Sequence, residues 1–299
     1  MTTSSNTPIK PFLRWAGGKR RILGQLLART PQNFTAYVEP FLGAGTMLFA
    51  IDRPVPKLGN DLNESLIETY LVVRDHLSEL LQDLSRHKNE NAYYYEIRQL
   101  DRNPDFADFS SLNSKVARAS RFIFLNRTCF NGLYRVNSKG HFNVPFGNVR
   151  YDLAMLTADL IAASEYLNQR DENGKFLCEF TSQDFEQCIK NARPGSFIYL
   201  DPPYEAISPT SSFASYHKSG FTMDDQIRLL KAASSRDDCF ILISNAAAAT
   251  LVEALQLFPN FHVDQLKVSR SISAKGASRV SVDELLIANN TLVDSIRAS

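Results

Sequence analysis

The sequence predicts an α/β fold, one large domain carrying a substantial insertion. Three observations lead there: a strand-turn-helix rhythm near the start, a long helical tract in the middle, and a return of the rhythm after Asp152. A chain of 299 residues that is 44% hydrophobic and 22% charged has the composition of an ordinary soluble globular protein.

Element by element, "FLRWAGGKRRILGQLLARTP" reads as a glycine turn followed by a helix that closes before Pro31. "AYVEPFLGAGTMLFAI" gives a short strand, a glycine-rich turn and a second helix, and "KLGND" a strand ending at Asp61. Leu62, Leu66, Ile67, Tyr70, Val73, Leu77, Leu80, Leu81 and Leu84 recur at three- and four-residue steps, which predicts one long amphipathic helix. "ARASRFIFLNR" predicts a second helix of the same insertion, and "GLYRVNSKGHFNVPFG" a hairpin turning at Ser138 to Gly140. After Asp152, "KFLCEF", "GSFIYL", "CFILIS", "FHVDQLKV" and "SVDELLIAN" predict strands, with helices at "MDDQIRLLKAASS" and "AAAATLVEALQLF". The polar stretch from Glu205 to Thr222 carries Phe213, Tyr216 and Phe221, aromatics that favour a lid over a plain connector.

Composition narrows the function classes. No apolar run is long enough to span a bilayer, and "MTTSSNTPIKPF" lacks the apolar core of a secretory signal, so a cytoplasmic location is expected. Cys129, Cys178, Cys188 and Cys239 lack metal-ligand spacing and read as reduced and buried, so neither a disulfide nor a metal is expected. Net charge is only +1, yet acids are absent from residues 1–38, 109–151 and 265–282. Those windows hold 17 of the 33 basic residues, which suggests an electropositive face for an acidic partner; chance clustering on a solvated surface is the alternative.

Two motifs carry chemistry. In "EPFLGAGT", Gly43 and Gly45 stand between strand and helix, where missing Cβ atoms let a ligand approach the backbone and a helix N-terminus offers N–H groups. A dinucleotide fingerprint would need a third glycine, and Thr46 and Met47 follow instead. Asp61 ends the next strand, where a carboxylate can accept both hydroxyls of a ribose; with Glu64 it also reads as a helix capping box. In "IYLDPPYEAI" a strand stops at Asp201, and Pro202 and Pro203 then fix two φ angles and remove two N–H donors. Such a rigid, acceptor-rich turn suits an exocyclic amine, with Tyr204 stacking on the ring that bears it. A sulfonium methyl opposite the amine would be attacked in line, with positioning and electrostatics supplying most of the effect. A purely structural proline turn has the same sequence.

In order along the chain, "FLRWAGGKR", "EPFLGAGT", "NRTCFNGLYRVNSKGHFNVPFG", "LDPPY" and "RSISAKGASRVSVDELL" closely resemble the DNA adenine-N6 methyltransferases of the Dam type (class D12, alpha group), the alpha arrangement of adenine enzymes in type II restriction-modification systems. The resemblance spans nearly the whole chain. It implies a Rossmann-like S-adenosylmethionine-dependent methyltransferase sheet, mostly parallel with one reversed edge hairpin, interrupted by an inserted helical DNA-recognition domain. Residues 1–61 and 151–299 would be the two parts of the catalytic domain, the first binding cofactor, and 62–150 the target-recognition domain with its DNA-reading hairpin. The implied reaction transfers a methyl group from S-adenosyl-L-methionine to N6 of a flipped-out adenine in double-stranded DNA, with GATC as the expected site.

The resemblance also implies roles. Trp15 and Lys19 match the block that contacts the cofactor, and Phe41, Gly43 and Gly45 match the glycine loop. Asp61 matches the ribose carboxylate, while Asp184 and Phe185 look like contacts to the cofactor's adenine. Asp201, Pro202, Pro203 and Tyr204 match the catalytic turn, with Asp201 also beside the cofactor. Phe130 is placed like the ring that fills the stack after the target base leaves, and Asn131 like the contact to the unpaired partner base. Leu133, Arg135 and Pro145 match readers of base edges, and Arg14 a basic residue near the first base pair. Arg127 joins this DNA-facing set, and Arg270, Lys275 and Arg279 read as phosphate contacts. Val149 lies where some GATC readers carry tyrosine, which leaves the outer end of the site open. Simpler readings stand beside these: a salt bridge or phosphate contact for Arg135, a buried hairpin ring for Phe130, ordinary packing and solvated charge for Trp15 and Lys19. The expected partner is double-stranded DNA, with monomeric action in a prokaryotic cell; the sequence leaves open whether a cognate restriction endonuclease exists. Rival functions are a methyltransferase on RNA adenine or a protein amide, the latter usually with Asn in place of Asp201, and a DNA-binding protein that has lost catalysis.

Overall fold

The computed structural model describes residues 9–107, 111–149, 151–204, 221–269 and 281–298. The chain divides into two compact units. A sheet unit comprises Lys19–Leu42, Val55–Leu62 and Gln183–Ser299, and a helical unit Met1–Gly18, Gly43–Pro54 and Asn63–Ser182.

Strands covered on both faces read as continuous apolar runs rather than alternating ones. "FIYL" obeys this, all four residues being buried, and so does most of "FILISNA". The strands are β1 (Tyr37–Glu39), β2 (Lys57–Asn60), β3 (Cys178–Thr181), β4 (Phe197–Leu200), β5 (Phe240–Ala246), β6 (Phe261–Ser269) and β7 (Ser281–Asn289). The sheet has seven strands; six belong to the sheet unit, in the order β2-β1-β4-β5-β7-β6, and β3 falls in the helical unit. β1 pairs parallel with β2 and β4, and β4 with β5. β7 runs antiparallel to both β5 and β6, the reversed edge hairpin that the resemblance implies. From β1 the chain moves outward to β2, and from β4 it moves the other way to β5, so the topological switch lies between β1 and β4. In open α/β sheets ligands bind at the carboxyl ends of strands flanking such a switch.

Val38, Ile198, Leu200, Ile241 and Ile243 form the sheet's contribution to the core. Phe185, Ile189, Leu229, Leu230, Leu251 and Leu255 pack on it from the helices Phe185–Asn191, Met223–Ser234 and Ala249–Leu255. Each such side chain contributes about 1.5–3 kcal/mol of burial. Thr222 caps the helix Met223–Ser234 in a reciprocal capping box with Asp225.

In the helical unit, the long helix expected over residues 62–84 is two helices, Glu64–Asp75 and Leu77–Leu84, broken at His76 (φ −139°, ψ 43°). A one-residue break leaves the three- and four-residue spacing of Val73, Leu77 and Leu80 intact, so periodicity carries no sign of it. The first helix starts at Asn63, whose side chain accepts from Leu66 N–H; the capping role weighed for Asp61 therefore falls to Asn63. The helix expected after Gly45 is a single 3-10 turn, Leu48–Ala50. Its termination has a cause: the Tyr166 hydroxyl lies 2.5 Å and 2.8 Å from the carbonyl oxygens of Leu48 and Ile51, which a longer helix would have used. Likewise the helix before Pro31 shrinks to Leu23–Leu27 after a 3-10 turn at Lys19–Arg21. The helix predicted at "ARASRFIFLNR" runs from Leu112 to Thr128, capped by Ser111. The hairpin after it closes at Asn137, whose N–H donates to His141 O and whose side chain accepts from Lys139 and His141.

Several cations of the acid-free windows find acids distant in sequence. Lys10 pairs with Asp159, Arg29 with Asp264, Arg118 with Glu68 and Arg121 with Asp101. Local absence of acids thus overstated the uncompensated positive charge. All four cysteines are buried thiols. Among the described residues no helix is long and apolar enough to cross a membrane, and no group of His, Cys, Asp or Glu is placed to hold a metal ion.

Candidate active site

At the carboxyl end of β4 the chain leaves the sheet through Asp201, Pro202, Pro203 and Tyr204. Lys19 Nζ lies 2.6 Å from Asp201 Oδ1, and Ser244 Oγ, on β5, donates to the same oxygen at 3.3 Å. Among the described residues neither donor nor any other reaches Oδ2, and the Asp201 side chain stays 21% exposed against 6% for Lys19. One oxygen is therefore anchored by two donors, while among the described residues the other accepts from none. Burial raises the Asp201 pKa, opposed by the Lys19 ammonium and reinforced by the Glu284 carboxylate. Tyr204 donates its phenol proton to Glu284, and Lys19 sits 4.7 Å from the centre of the Tyr204 ring. Burial keeps that phenol protonated far above its ordinary range.

The neighbouring strand ends are stitched by Asn60. Its buried side chain donates to Pro40 O at 3.0 Å and Gln183 O at 2.9 Å, and accepts from Gln183 N–H at 2.9 Å. Phe41, Asp61 and Asp184 directly follow these stitched residues. Phe41 packs on Phe185 and Phe221, ring centres 5.4 Å and 5.8 Å apart. Asp184 caps the helix Phe185–Asn191 and holds Arg228 through both oxygens at 2.9 Å and 3.0 Å. A carboxylate offers about four acceptor positions, so one remains for a further donor. Phe221 belongs to the stretch expected to form a lid; residues 205–220 lie outside the described part of the chain.

The helical unit holds the remaining sites. Trp15, Tyr134 and Phe122 form a three-ring cluster, with Trp15 centred 5.8 Å from Tyr134 and 6.3 Å from Phe122 and those two 5.2 Å apart. Its indole fills the place a Cβ on Gly43 would take, at 2.7 Å, so this glycine accommodates a side chain of the protein itself. Gly43 and Gly45 both have positive φ, 48° and 65°. Asn126, fully buried, accepts from Arg14 N–H at 2.8 Å and donates back to Arg14 O at 2.6 Å. A Cβ on Gly132 would lie 2.5 Å from Arg14 Cβ, which fixes the two segments side by side. Burial and the nearby Arg14 cation pull the Arg127 pKa down.

Phe130 and Asn131 form a tight turn between this helix and the hairpin. Phe130 N–H donates to Pro145 O at 2.9 Å, and Asn131 adopts a left-handed backbone (φ 56°). The Phe130 ring is 46% exposed, so the buried alternative does not hold. Arg135 is held across the hairpin by Asn143 Oδ1 at 2.7 Å, and Leu133 is half-buried. Arg270, Lys275 and Arg279 lie outside the described residues.

Sequence reasoning missed Asn60, Asn126, Ser244 and Glu284. Asn60 precedes the carboxylate at Asp61 and Glu284 interrupts an apolar strand, but neither signal names a partner.

A mostly parallel sheet with an anchored carboxylate at the carboxyl end of a switch-point strand is the arrangement in which α/β enzymes place their sites. Comparison makes this specific: the sequence profile of the D12 class N6 adenine-specific DNA methyltransferases matches residues 15–272, and the chain belongs to that family. Type II methyltransferase M.MjaIII of Methanocaldococcus jannaschii is 36% identical over 301 residues, covering 94% of this chain and 99% of that protein. Type II methyltransferase M1.LlaDCHI of Lactococcus lactis subsp. cremoris is 34% identical over 285 residues, covering 94% and 95%. The DNA adenine methylase of Escherichia coli K12 is 34% identical over 283 residues, covering 93% and 94%. The protein is an adenine-specific DNA methyltransferase.

Proposed function

We propose that the protein methylates N6 of an adenine flipped out of double-stranded DNA, within GATC, using S-adenosylmethionine. The observation that carries this reading is the anchored Asp201, with Oδ1 held by Lys19 and Ser244 and Oδ2 presented. When bound, S-adenosylmethionine supplies an electrophilic methyl group on a sulfonium.

The residues fit that group. Asp61 would take the ribose hydroxyls, Asp184 and Phe185 the adenine, with Phe41, Trp15, Lys19, Gly43 and Gly45 completing the cofactor-binding set. Asp201 Oδ2 would accept one N–H of the target amine, while Pro202 and Pro203 contribute carbonyl acceptors and no competing donor. Nitrogen becomes acidic once alkylated, so a weak acceptor suffices and orientation dominates. Tyr204 would stack on the extruded base.

On the DNA side, residues 62–150 would form the target-recognition domain. Phe130 would occupy the gap left by the flipped base, offsetting an unstacking cost of a few kcal/mol. Asn131 would face the orphaned partner base. Arg135, Leu133 and Pro145 would read base edges, with Arg14 near the first pair; Arg127, Arg270, Lys275 and Arg279 would meet phosphates. A buried cation crowded by another, as Arg127 is, gains from an anionic phosphate. Monomeric action and a cytoplasmic location in a prokaryote follow from the same reading.

The test is incubation of unmethylated plasmid DNA with the protein and S-adenosylmethionine, then single-molecule sequencing of modified bases. N6-methyladenine confined to GATC is expected; modification of cytosine, or none, would refute the assignment.

A further inference from the structure

Glu284 is a carboxylate within the apolar strand β7, only 6% exposed. Burying such a group is costly unless it is paired. Here the catalytic turn's surroundings supply partners: the Tyr204 phenol donates to Oε1, and Lys19 Nζ lies 3.5 Å from the same oxygen. Lys19 in turn holds Asp201. Three chain segments distant in sequence therefore converge on one ammonium, and Tyr204 is tethered at its far end to a strand rather than left to rotate.

Resting on the methyltransferase reading above, we propose that Glu284 is a positioning residue for methyl transfer, fixing the Tyr204 ring and the Lys19 ammonium so that Asp201 offers Oδ2 to the target amine. A carboxylate is required in two ways. It accepts the phenol hydrogen bond, which a glutamine amide oxygen can also do, and it shares the Lys19 charge, which glutamine cannot. Among the described residues, the charged and titratable groups facing Asp201 are Lys19 and Glu284, with Tyr199 and Tyr204 as phenols and Ser244 as a neutral donor.

The experiment is steady-state methylation of duplex DNA carrying the mapped site, over a pH range, with Glu284→Ala, Glu284→Gln and Tyr204→Phe. Misplacing a reacting group by about 1 Å costs on the order of 100-fold, so Glu284→Ala should lower kcat by roughly that factor with KM for DNA changed less than about threefold. Glu284→Gln should recover much of kcat. Because the lost negative charge had raised the Asp201 pKa, the acid limb of its rate profile should move to lower pH. Tyr204→Phe should lower kcat without moving that limb, and combining it with Glu284→Gln should give less than the sum of the two losses. If Glu284→Ala does not fold, the other two variants decide. Wild-type kcat and an unmoved acid limb in Glu284→Gln would overturn the proposal. Asp201→Ala in the same assay separates the two readings: its inactivity upholds the methyltransferase site whatever Glu284 does, and its full activity would refute that site instead.

Discussion

The turn at Asp201–Tyr204 and the turn at Phe130–Asn131 solve opposite problems. At the first, part-buried polar side chains are tied to one another: Asp201 to Lys19 and Ser244, Tyr204 to Glu284. At the second, the large apolar Phe130 is left 46% exposed beside the left-handed Asn131, with its own N–H secured to Pro145. Preorganised charge favours chemistry, because nothing need reorient during reaction. An exposed ring has no structural benefit until a partner covers it. Under the proposed function, the contrast assigns fixed polarity to the place of reaction and unsatisfied apolar surface to the place of recognition.

Breaking the first turn should have the largest effect. Asp201→Ala is expected to lower methylation by at least about 1,000-fold, with the dissociation constant for DNA changed only a few-fold, measured by initial rates and fluorescence anisotropy. Next comes the second turn: Phe130→Ala should leave the melting temperature unchanged yet weaken methylation by roughly 10–100-fold, since base–aromatic stacking contributes about 1–3 kcal/mol. Loss of 2-aminopurine fluorescence at the target position would report failed extrusion.

Smaller effects sharpen the comparison. Asn126→Ala removes the clamp on Arg14 and leaves buried backbone groups unmatched, at a cost of about 1–3 kcal/mol in unfolding by urea. Arg135→Ala should relax discrimination at one base pair by about 1–3 kcal/mol, seen in methylation of singly substituted sites. Asn63→Ala, which deletes a helix cap, should cost about 1 kcal/mol of stability, read in urea unfolding.

Much of this architecture was legible in the chain because its causes are local. Apolar runs such as "FIYL" and "FILIS" give strands, and "LDPPY" gives a rigid turn whatever surrounds it. What stayed hidden depends on partners far away in sequence. The turn at Leu48–Ala50 ends early because Tyr166 takes its carbonyls, more than a hundred residues later. Lys19 looks like one charge of a basic window until Asp201 and Glu284 fold against it. The break at His76 escaped because spacing survives a single altered backbone pair. The capping alternative weighed for Asp61 fell because Asn63, two residues on, takes that role.

The presented oxygen of Asp201 is the centre of the account, and single-turnover methylation of a hemimethylated GATC duplex tests it most directly. The wild-type protein should place a methyl group on N6 of the unmodified strand's adenine, and Asp201→Ala should bind the duplex equally well without doing so. Methylation by Asp201→Ala at the wild-type rate would contradict it.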